Sequence, residues 1–400
     1  MRKLNDIFRK DSAYKIFFLS VITFGISYGL YKGVIDNYLA EVVSMTSFDK
    51  GVSEFFRELP GLFLVFILAA FYMLSAEKIY KIGSVIMLVG MVMQAVVPPT
   101  KVMVILAILV YSLGDHIQLS MRNSMSLQYA KEGHGGAALG VQNSLHQIGM
   151  LAGYLIIIGV FTFLNGSISL YRGVFMASVV MIALGCVSAF RLKDESQMDE
   201  TKRRFYFRKK YSKYYMLEVF YGARKQIFFT FGPYVLVLFY GANAMAISIL
   251  FAISSICTFF CAPLVGKIID HFGYKKVMVA DTLILVIVCF FYGFAHHIFP
   301  MHIAFIVCCV NYVLDSIISL ASMASNVYVQ DLADNQDEVR ATISTGLSVN
   351  HLITILIALF GGWIWQALGI ETLFVLSAIL GLCNSAYAAT IKTKKTNSEV

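Results

Sequence analysis

Two adjacent cations, Arg224 and Lys225, lie near the middle of an apolar run that covers about residues 214–240. A cation at the centre of a lipid bilayer costs about 2.5–3.5 kcal/mol on insertion scales, so such side chains face protein or water and mark a pathway. Arginine can bind a carboxylate or phosphate through two parallel hydrogen bonds. We therefore predict that this stretch binds a charged solute group, with the amide of Gln226 beside the cations.

Carboxylates and imidazoles in other apolar runs supply groups that can exchange protons. A carboxylate beside a movable cation has a pKa that depends on whether that cation is occupied, and histidine titrates near neutral pH. A structural ion pair or a hydrogen-bonded interior histidine is the alternative for each of these residues. The predicted proton-exchanging residues are Asp115, Asp315, His146, His351 and Glu218.

The elements that must position these residues are long apolar helices. Hydrophobic residues make up 58% of the chain, charged residues 14%, and the mean hydropathy is +0.73. Many apolar runs of about 20 residues are typical of an integral membrane protein and not of a soluble domain. We predict an all-α membrane protein with twelve spans, at about residues 15–41, 50–76, 82–98, 101–129, 136–163, 168–190, 214–240, 243–267, 276–296, 300–330, 339–366 and 370–391.

The positive charges follow membrane topology. They cluster at the N-terminus, in the central loop 191–213 and at the C-terminus, so the net charge of +8 does not indicate a nucleic-acid partner. Loops rich in Lys and Arg stay in the cytoplasm, and an even number of spans then places both termini there. We expect a multi-pass protein of the plasma (cell inner) membrane, with one six-span bundle at 1–190, a linker at 191–213 and a second bundle at 214–400.

A weak internal repeat supports two pseudo-symmetric six-helix bundles. Residues 111–115, YSLGD, resemble 312–315, YVLD, and residues 140–146, GVQNSLH, resemble 346–351, GLSVNH. Each half thus has an Asp in one span and an Asn and a His in the next. Such repeats indicate two halves that meet at a site near the bilayer midplane.

Residues 266–276, GKIIDHFGYKK, resemble the signature loop of the major facilitator superfamily, G-x-x-x-D-x-x-G-x-[KR]-[KR]. The corresponding first-half loop, 75–83, keeps an acid and two cations but lacks the glycine pattern. The resemblance implies secondary transport by alternating access, with a gating role for Gly266, Asp270 and Gly273. It also implies that spans 1, 4, 7 and 10 line the cavity while spans 3, 6, 9 and 12 face lipid. Charges in the lipid-facing spans, such as Asp281, are accordingly expected near the span ends.

Helical spacing shows which charged residues near the outer ends of spans one and two share a helix face. Lys32 and Asp36 are four residues apart and share a face of the first span. On the second span, Glu54, Arg57 and Glu58 lie close together toward the outer end. We predict that Lys32, Asp36, Arg57 and Glu58 form an outer gate or a structural ion-pair network.

The same spacing separates the two cations of span seven. Glu218 and Lys225 share a face, whereas Arg224 points about 100° away. One cation is therefore expected to bind solute while the other pairs with a neighbouring helix, for which Asp315 is the candidate. Asp115 and Arg122 share a face of span four.

Cations slightly outnumber acids at mid-depth, so we predict a small anionic or zwitterionic organic solute, moved with H⁺. The predicted solute-binding residues are Arg224, Lys225, Gln226, Arg122, Asn143, Tyr31 and Asn311. The alternative is a proton-driven efflux antiporter for drugs or other amphiphiles. That alternative is disfavoured because residues 149–154, GMLAGY, have Tyr where such antiporters carry Pro. Import or export, H⁺ or Na⁺, and symport, antiport or facilitated diffusion all remain open.

No sequence pattern indicates an enzyme. HExxH and metal-ligand spacings of Cys and His are missing, and the seven cysteines lie in apolar segments without a CxxC. Three histidines in the run 295–302, AHHIFPMH, could bind a metal weakly, but chance explains them better. We therefore expect no cofactor, no metal and no nucleic acid; the expected partners are the solute, H⁺ and the lipid bilayer, and the protein is expected to be a monomer.

Overall fold

The computed structural model describes residues 2–10, 13–71, 73–132, 134–193, 207–334 and 336–391. These residues form helices joined by short connections. The helices are α1 (Arg2–Ile7), α2 (Tyr14–Asn37), α3 (Ser47–Ala70), α4 (Ala76–Val96), α5 (Lys101–Tyr129), α6 (Gly135–Phe163), α7 (Ile168–Phe190), α8 (Ser212–Leu238), α9 (Ala244–Phe272), α10 (Tyr274–Ile298), α11 (Met301–Ile318), α12 (Met323–Leu332) and α13 (Gln336–Ala389). A π-helical segment, Tyr38–Val42, follows α2, and a 3₁₀ segment, Ser319–Ser322, joins α11 to α12.

Nine helical stretches in the described ranges are long and apolar enough to cross a membrane. Helices α3 and α8 are equally long, but their internal charges lower their hydropathy. Helix α13 has 54 residues and is broken at Gly369, where φ is 91°, so it holds two of the predicted spans. The prediction of an all-α, membrane-spanning fold is confirmed, and the helix order is consistent with twelve spans.

Local sequence explains several helix boundaries. Thr46 and Asp49 form a capping box at the start of α3, with each side chain bonding the backbone N–H of the other. Gly273 separates α9 from α10 with a φ of 81°, a conformation that a residue with a Cβ rarely adopts. Such caps satisfy the backbone groups that a helix end leaves unpaired.

The described residues fall into two compact units. Unit 1 comprises Met1–Asp49, Ser53–Arg204 and Gly241–Ala252. In it, α2 packs against α6 and α7, and α4 packs against α5 and α7. Gly149 and Gly153 of α6 lie directly against the backbone of α2, where a Cβ would collide with carbonyl oxygens. Small residues at such a crossing let two membrane helices approach closely.

Unit 2 comprises Lys50–Val52, Phe205–Tyr240 and Ile253–Val400. In it, α13 packs against α8 and α10, and α10 packs against α11. Part of the predicted linker, residues 194–206, lies outside the described residues, as do the terminal cations Lys392, Lys394 and Lys395. The predicted bundle limits, 1–190 and 214–400, stay a prediction.

Candidate functional site

Arg224 is a fully buried cation of unit 2. It is the thirteenth of the 27 residues of α8, and 1% of its surface is exposed. Its Nη1 lies 3.5 Å from Oδ1 of Asp315 on α11, and its Nη2 lies 3.8 Å from Oδ2 of Asp281 on α10. The guanidinium also lies over the ring of Tyr221, at 5.2 Å from the centroid. One cation is therefore shared by two carboxylates from two other helices.

The position of Asp281 corrects the sequence analysis. We expected this residue near the end of a lipid-facing span, but its side chain is 11% exposed and contacts Arg224 at the middle of α8. Helix α10 packs against α11 and α13, and this contact turns the Asp281 face toward protein. The signal was present in the sequence, since a lone acid inside an apolar run cannot face lipid.

Lys225 lies outside the ion pairs of this cluster, as the 100° step between neighbouring helix positions predicts. Its side chain is exposed and makes no hydrogen bond or ion pair with the described residues; its Nζ lies 5.9 Å from the Tyr221 ring centroid. An ammonium group at the middle of a long membrane helix must contact water, because lipid would exclude it. Lys225 thus marks a water-accessible face of α8.

Two predicted solute-binding amides of unit 2 are buried and bonded within their own helices. Gln226 donates from Nε2 to Oγ1 of Thr230 at 2.8 Å, and Asn311 donates from Nδ2 to the carbonyl of Val307 at 2.7 Å. Both residues lie on the helices that supply Arg224 and Asp315. A solute would have to compete with these local bonds.

Glu218 is a buried carboxylate held by neutral donors. Ser325 on α12 donates to its Oε1 at 3.0 Å, and Asn350 on α13 approaches its Oε2 at 3.4 Å. Gly222 makes room for this amide, because a Cβ there would lie 2.6 Å from Nδ2 of Asn350. Sequence reasoning missed Ser325, for which there was no signal, and it had noted Asn350 only as part of the repeat. The adjacent His351 is half-buried, and its backbone carbonyl accepts a bond from Thr354.

Arg122 in unit 1 is also buried, but unlike Arg224 it is not ion-paired in the part of the chain described. Its surface is 6% exposed, its Nε has no partner, and the side chain makes no hydrogen bond or ion pair with the described residues. Asp115, two turns earlier on α5, is half-buried and likewise makes none. Arg122 lies within electrostatic range of Asp115, Tyr80 and Tyr28. Unit 1 therefore holds an arginine whose hydrogen-bonding capacity is unused.

The predicted residues of α6 lie near this arginine. His146 is within electrostatic range of Arg122, and its ring centroid lies 6.1 Å from that of Tyr28. Gln142 is buried, donates from Nε2 to Oδ1 of Asn143 at 3.2 Å, and leaves its own Oε1 without a partner in the part of the chain described. Asn143 itself is exposed.

The predicted gating charges of unit 1 form ion pairs. Lys32 contacts Asp36 at 3.3 Å, and Arg57 contacts Glu54 at 2.5 Å and also hydrogen-bonds Glu58. Close by, the rings of Tyr31 and Tyr111 pack at 4.8 Å between centroids, and Ser112 donates to the Arg57 carbonyl. Tyr31 is thus packed against an aromatic ring and lies within electrostatic range of Glu54 and Arg57.

The acid of the signature-like loop is exposed in this structure, and its predicted gating role stays a prediction. Asp270 lies in the last turn of α9, is exposed, and has no ion-pair partner among the described residues. Gly266 has open space around it, whereas Lys275 donates to the carbonyl of Ile391 at 2.8 Å. In the first-half loop, by contrast, Glu77 is fully buried and accepts a bond from Gln128 at 3.0 Å.

Comparison with known proteins agrees with this architecture. The family model described as Major Facilitator Superfamily matches residues 214–399. No curated protein sequence matches. Among solved structures, the nucleoside transporter NupG is similar with a TM-score of 0.73 and 17% identity, over 95% of this chain and 99% of that one.

Two further structures show the same fold. A POT family transporter in complex with 5-aminolevulinic acid has a TM-score of 0.74 and 11% identity, over 93% of this chain and 94% of that one. A D-xylose-proton symporter has a TM-score of 0.72 and 14% identity, over 94% of this chain and 96% of that one. The family model thus matches residues 214–399, and the transporter fold of these solved structures is shared over nearly the whole chain.

Proposed function

We propose that this protein is a secondary transporter that moves a small anionic or zwitterionic organic solute together with H⁺ by alternating access. It would work as a monomer in the plasma (cell inner) membrane, with both termini in the cytoplasm. The observation that carries the solute class is Arg122, a buried guanidinium that makes no hydrogen bond or ion pair with the described residues. A buried charge that makes no ion pair is costly, and a carboxylate or phosphate on the solute would supply both the charge and the acceptors.

Lys225 supports an anionic or zwitterionic solute from unit 2. Its exposed ammonium group lies at a water-accessible position in mid-helix. A positive charge lining a cavity with low-dielectric walls raises the local concentration of anions. The solved structures of similar fold are named for chemically different solutes, so the solute class rests on Arg122 and Lys225 and not on those likenesses.

The proposal of proton coupling rests on the charge count around Arg224. Asp315 and Asp281 both lie within 4 Å of one guanidinium, so the fully ionised cluster would carry one excess negative charge in a buried place. One proton taken up by either carboxylate neutralises the cluster, and its release restores the charge. Asp115, Glu218, His146 and His351 are further proton-carrying candidates.

The test is a thermal-stability screen of the purified protein against carboxylates, phosphates, amino acids, nucleosides, sugars and lipophilic cations. A ligand at 100 times its Kd adds about 2.7 kcal/mol to the folded state. We expect an anionic or zwitterionic compound to raise the Tm of the wild type and of Lys101→Gln, a matched loss of one surface cation. The same compound should leave the Tm of Arg122→Gln unchanged.

Two outcomes would contradict this assignment. If Arg122→Gln is stabilised as strongly as the wild type, Arg122 is not the solute-binding cation. If lipophilic cations alone stabilise the protein and Asp115→Asn abolishes that effect, the efflux antiporter replaces the present proposal. Uptake of the stabilising compound into proteoliposomes, under an imposed H⁺ or Na⁺ gradient, then identifies the coupling ion.

A further inference from the structure

We propose that His296, His297 and Glu371 form a binding site for a divalent transition-metal ion of the zinc class, independent of the solute site. All three residues belong to unit 2. The histidines occupy the last turn of α10, and Glu371 follows the break at Gly369 in α13. The site would therefore connect the end of α10 to the start of the second segment of α13.

The three side chains already converge on one point. Nε2 of His296 lies 3.2 Å from Oε1 of Glu371, and Nε2 of His297 lies 2.8 Å from the same oxygen. One ligand atom from each residue lies within 4.8 Å of the other two. Zinc binds nitrogen and oxygen ligands at about 2.0–2.2 Å, so tetrahedral geometry places neighbouring ligand atoms about 3.4 Å apart. Small side-chain movements would bring all three atoms to that spacing.

Packing around the cluster restricts its side chains. The ring of Phe239 lies edge-on to His296, with 4.9 Å between centroids. Gly369 has a φ of 91°, and a Cβ there would lie 2.6 Å from Oε2 of Glu371. A larger residue at position 369 would thus displace the carboxylate.

The ligand set selects the kind of metal. Two imidazole nitrogens and one carboxylate oxygen suit Zn²⁺, with the fourth position open to water. Mg²⁺ and Ca²⁺ prefer oxygen ligands only. With Nε2 on the metal, the neutral His296 ring would carry its proton on Nδ1, which is buried and without a partner in the described residues. His297 is 58% exposed, which leaves a route for the ion.

The sequence suggested a different and weaker grouping. There the two adjacent histidines were combined with His302, only a few residues away, and the run was attributed to chance. In the structure, the third ligand is Glu371, 74 residues from His297 along the chain, and His302 is not part of the group. A distant carboxylate that meets two histidines is a more specific arrangement than a histidine-rich loop.

The experiment measures Zn²⁺ binding to the full-length purified protein, freed of any affinity tag and stripped with a chelator. We expect one equivalent of Zn²⁺ by competition with a chromogenic chelator and by elemental analysis, together with a rise in Tm that Mg²⁺ does not produce. His297→Ala and Glu371→Gln should each weaken Zn²⁺ binding at least about 100-fold, since loss of even an outer partner of a ligand costs roughly 10–100-fold.

His302→Ala is the matched control, because it removes a nearby exposed histidine outside the group. It should bind Zn²⁺ and gain stability like the wild type. The proposal is overturned if the wild type binds no Zn²⁺, or if His297→Ala and Glu371→Gln bind it as tightly as the wild type. The second outcome would assign the ion to the free cysteines, which both variants retain. Zinc binding needs no solute, so this result is separable from the test of transport.

Discussion

Each unit of this protein buries an arginine within a long helix, but the two arginines have opposite surroundings. In unit 2, Arg224 is held by Asp315 and Asp281. In unit 1, Arg122 makes no ion pair or hydrogen bond with the described residues. Arg224 therefore contributes to holding α8, α10 and α11 together, whereas the binding capacity of Arg122 is available to a ligand. Burial alone does not distinguish a structural cation from a binding one; the partners do.

The largest expected effect is on stability, from Arg224→Gln. Removing one partner of a buried ion pair costs about 3–5 kcal/mol, because the remaining charges stay buried and unpaired. The free energy of unfolding in mild detergent should fall by that amount. The triple variant Arg224→Gln, Asp281→Asn, Asp315→Asn should recover most of the loss, and a triple variant no better than the single one would contradict the ion-pair explanation.

A smaller loss is expected from Ser325→Ala. This change removes the hydroxyl that donates to Glu218 at 3.0 Å, and a buried acceptor left short of a donor costs about 1–3 kcal/mol. Ser316→Ala is the control, because among the described residues that hydroxyl bonds only a carbonyl of its own helix, that of Tyr312. Equal unfolding free energies for the two variants would show that the bond to Glu218 contributes nothing.

An exposed ion pair of unit 1 shows how little stability an ion pair contributes when it is in contact with water. Asp49 contacts Lys101 at 2.5 Å, and the lysine side chain is 46% exposed. Partial burial alone would raise the pKa of Asp49, but hydrogen bonds from Lys101 and Thr46 outweigh it and hold the pKa below its ordinary value. Exposed pairs contribute about 0.2–1 kcal/mol, so Asp49→Asn should cost little.

The sign of the pH dependence follows from this lowered pKa. The folded state holds the Asp49 proton less tightly than the unfolded state, so the stabilisation is fully present above the ordinary pKa of about 4 and is lost as pH falls through the lowered value. The stability difference between wild type and Asp49→Asn should therefore shrink upon acidification below about pH 4. If the stability difference between wild type and Asp49→Asn instead grew in acid, the pKa of Asp49 would not be lowered in the folded state.

The smallest expected effect on stability is that of Arg122→Met. Replacing a buried charge that lacks a partner with an apolar side chain of similar length should be neutral or slightly stabilising. Solute-induced stabilisation and transport should nevertheless be lost. A loss of several kcal/mol, comparable to that of Arg224→Gln, would show that Arg122 has a structural role and would remove the difference between the units.

Periodicity and burial cost explain what the sequence could predict. The apolar runs predicted the long helices, and the 100° step predicted that Arg224 and Lys225 point to different surroundings. Asp315 was the expected counter-charge of Arg224 because both lie at mid-depth. These inferences need only the geometry of single helices and the cost of charge in lipid.

Contacts between distant segments could not be read in the same way. Asp281 was assigned to a lipid-facing span because the family pattern outweighed the rule that lipid excludes an acid. Ser325 reaches Glu218 from 107 residues away, and no local pattern marks a serine as the donor to a buried acid. The lack of an ion-pair partner for Arg122 is also a property of packing, since its own helix offers Asp115 on the same face.

The 3₁₀ segment Ser319–Ser322 determines the relative directions of two side chains that contact α8, those of Asp315 and Ser325. Asp315 and Ser325 are ten residues apart, and in a regular α-helix their side chains would differ by about 80° in direction. Four residues at the 3₁₀ step of about 120° remove that difference, so both side chains face α8, where one meets Arg224 and the other meets Glu218. Deleting one residue from the segment would turn Ser325 by roughly 120° and leave only Asp315 in phase with α8.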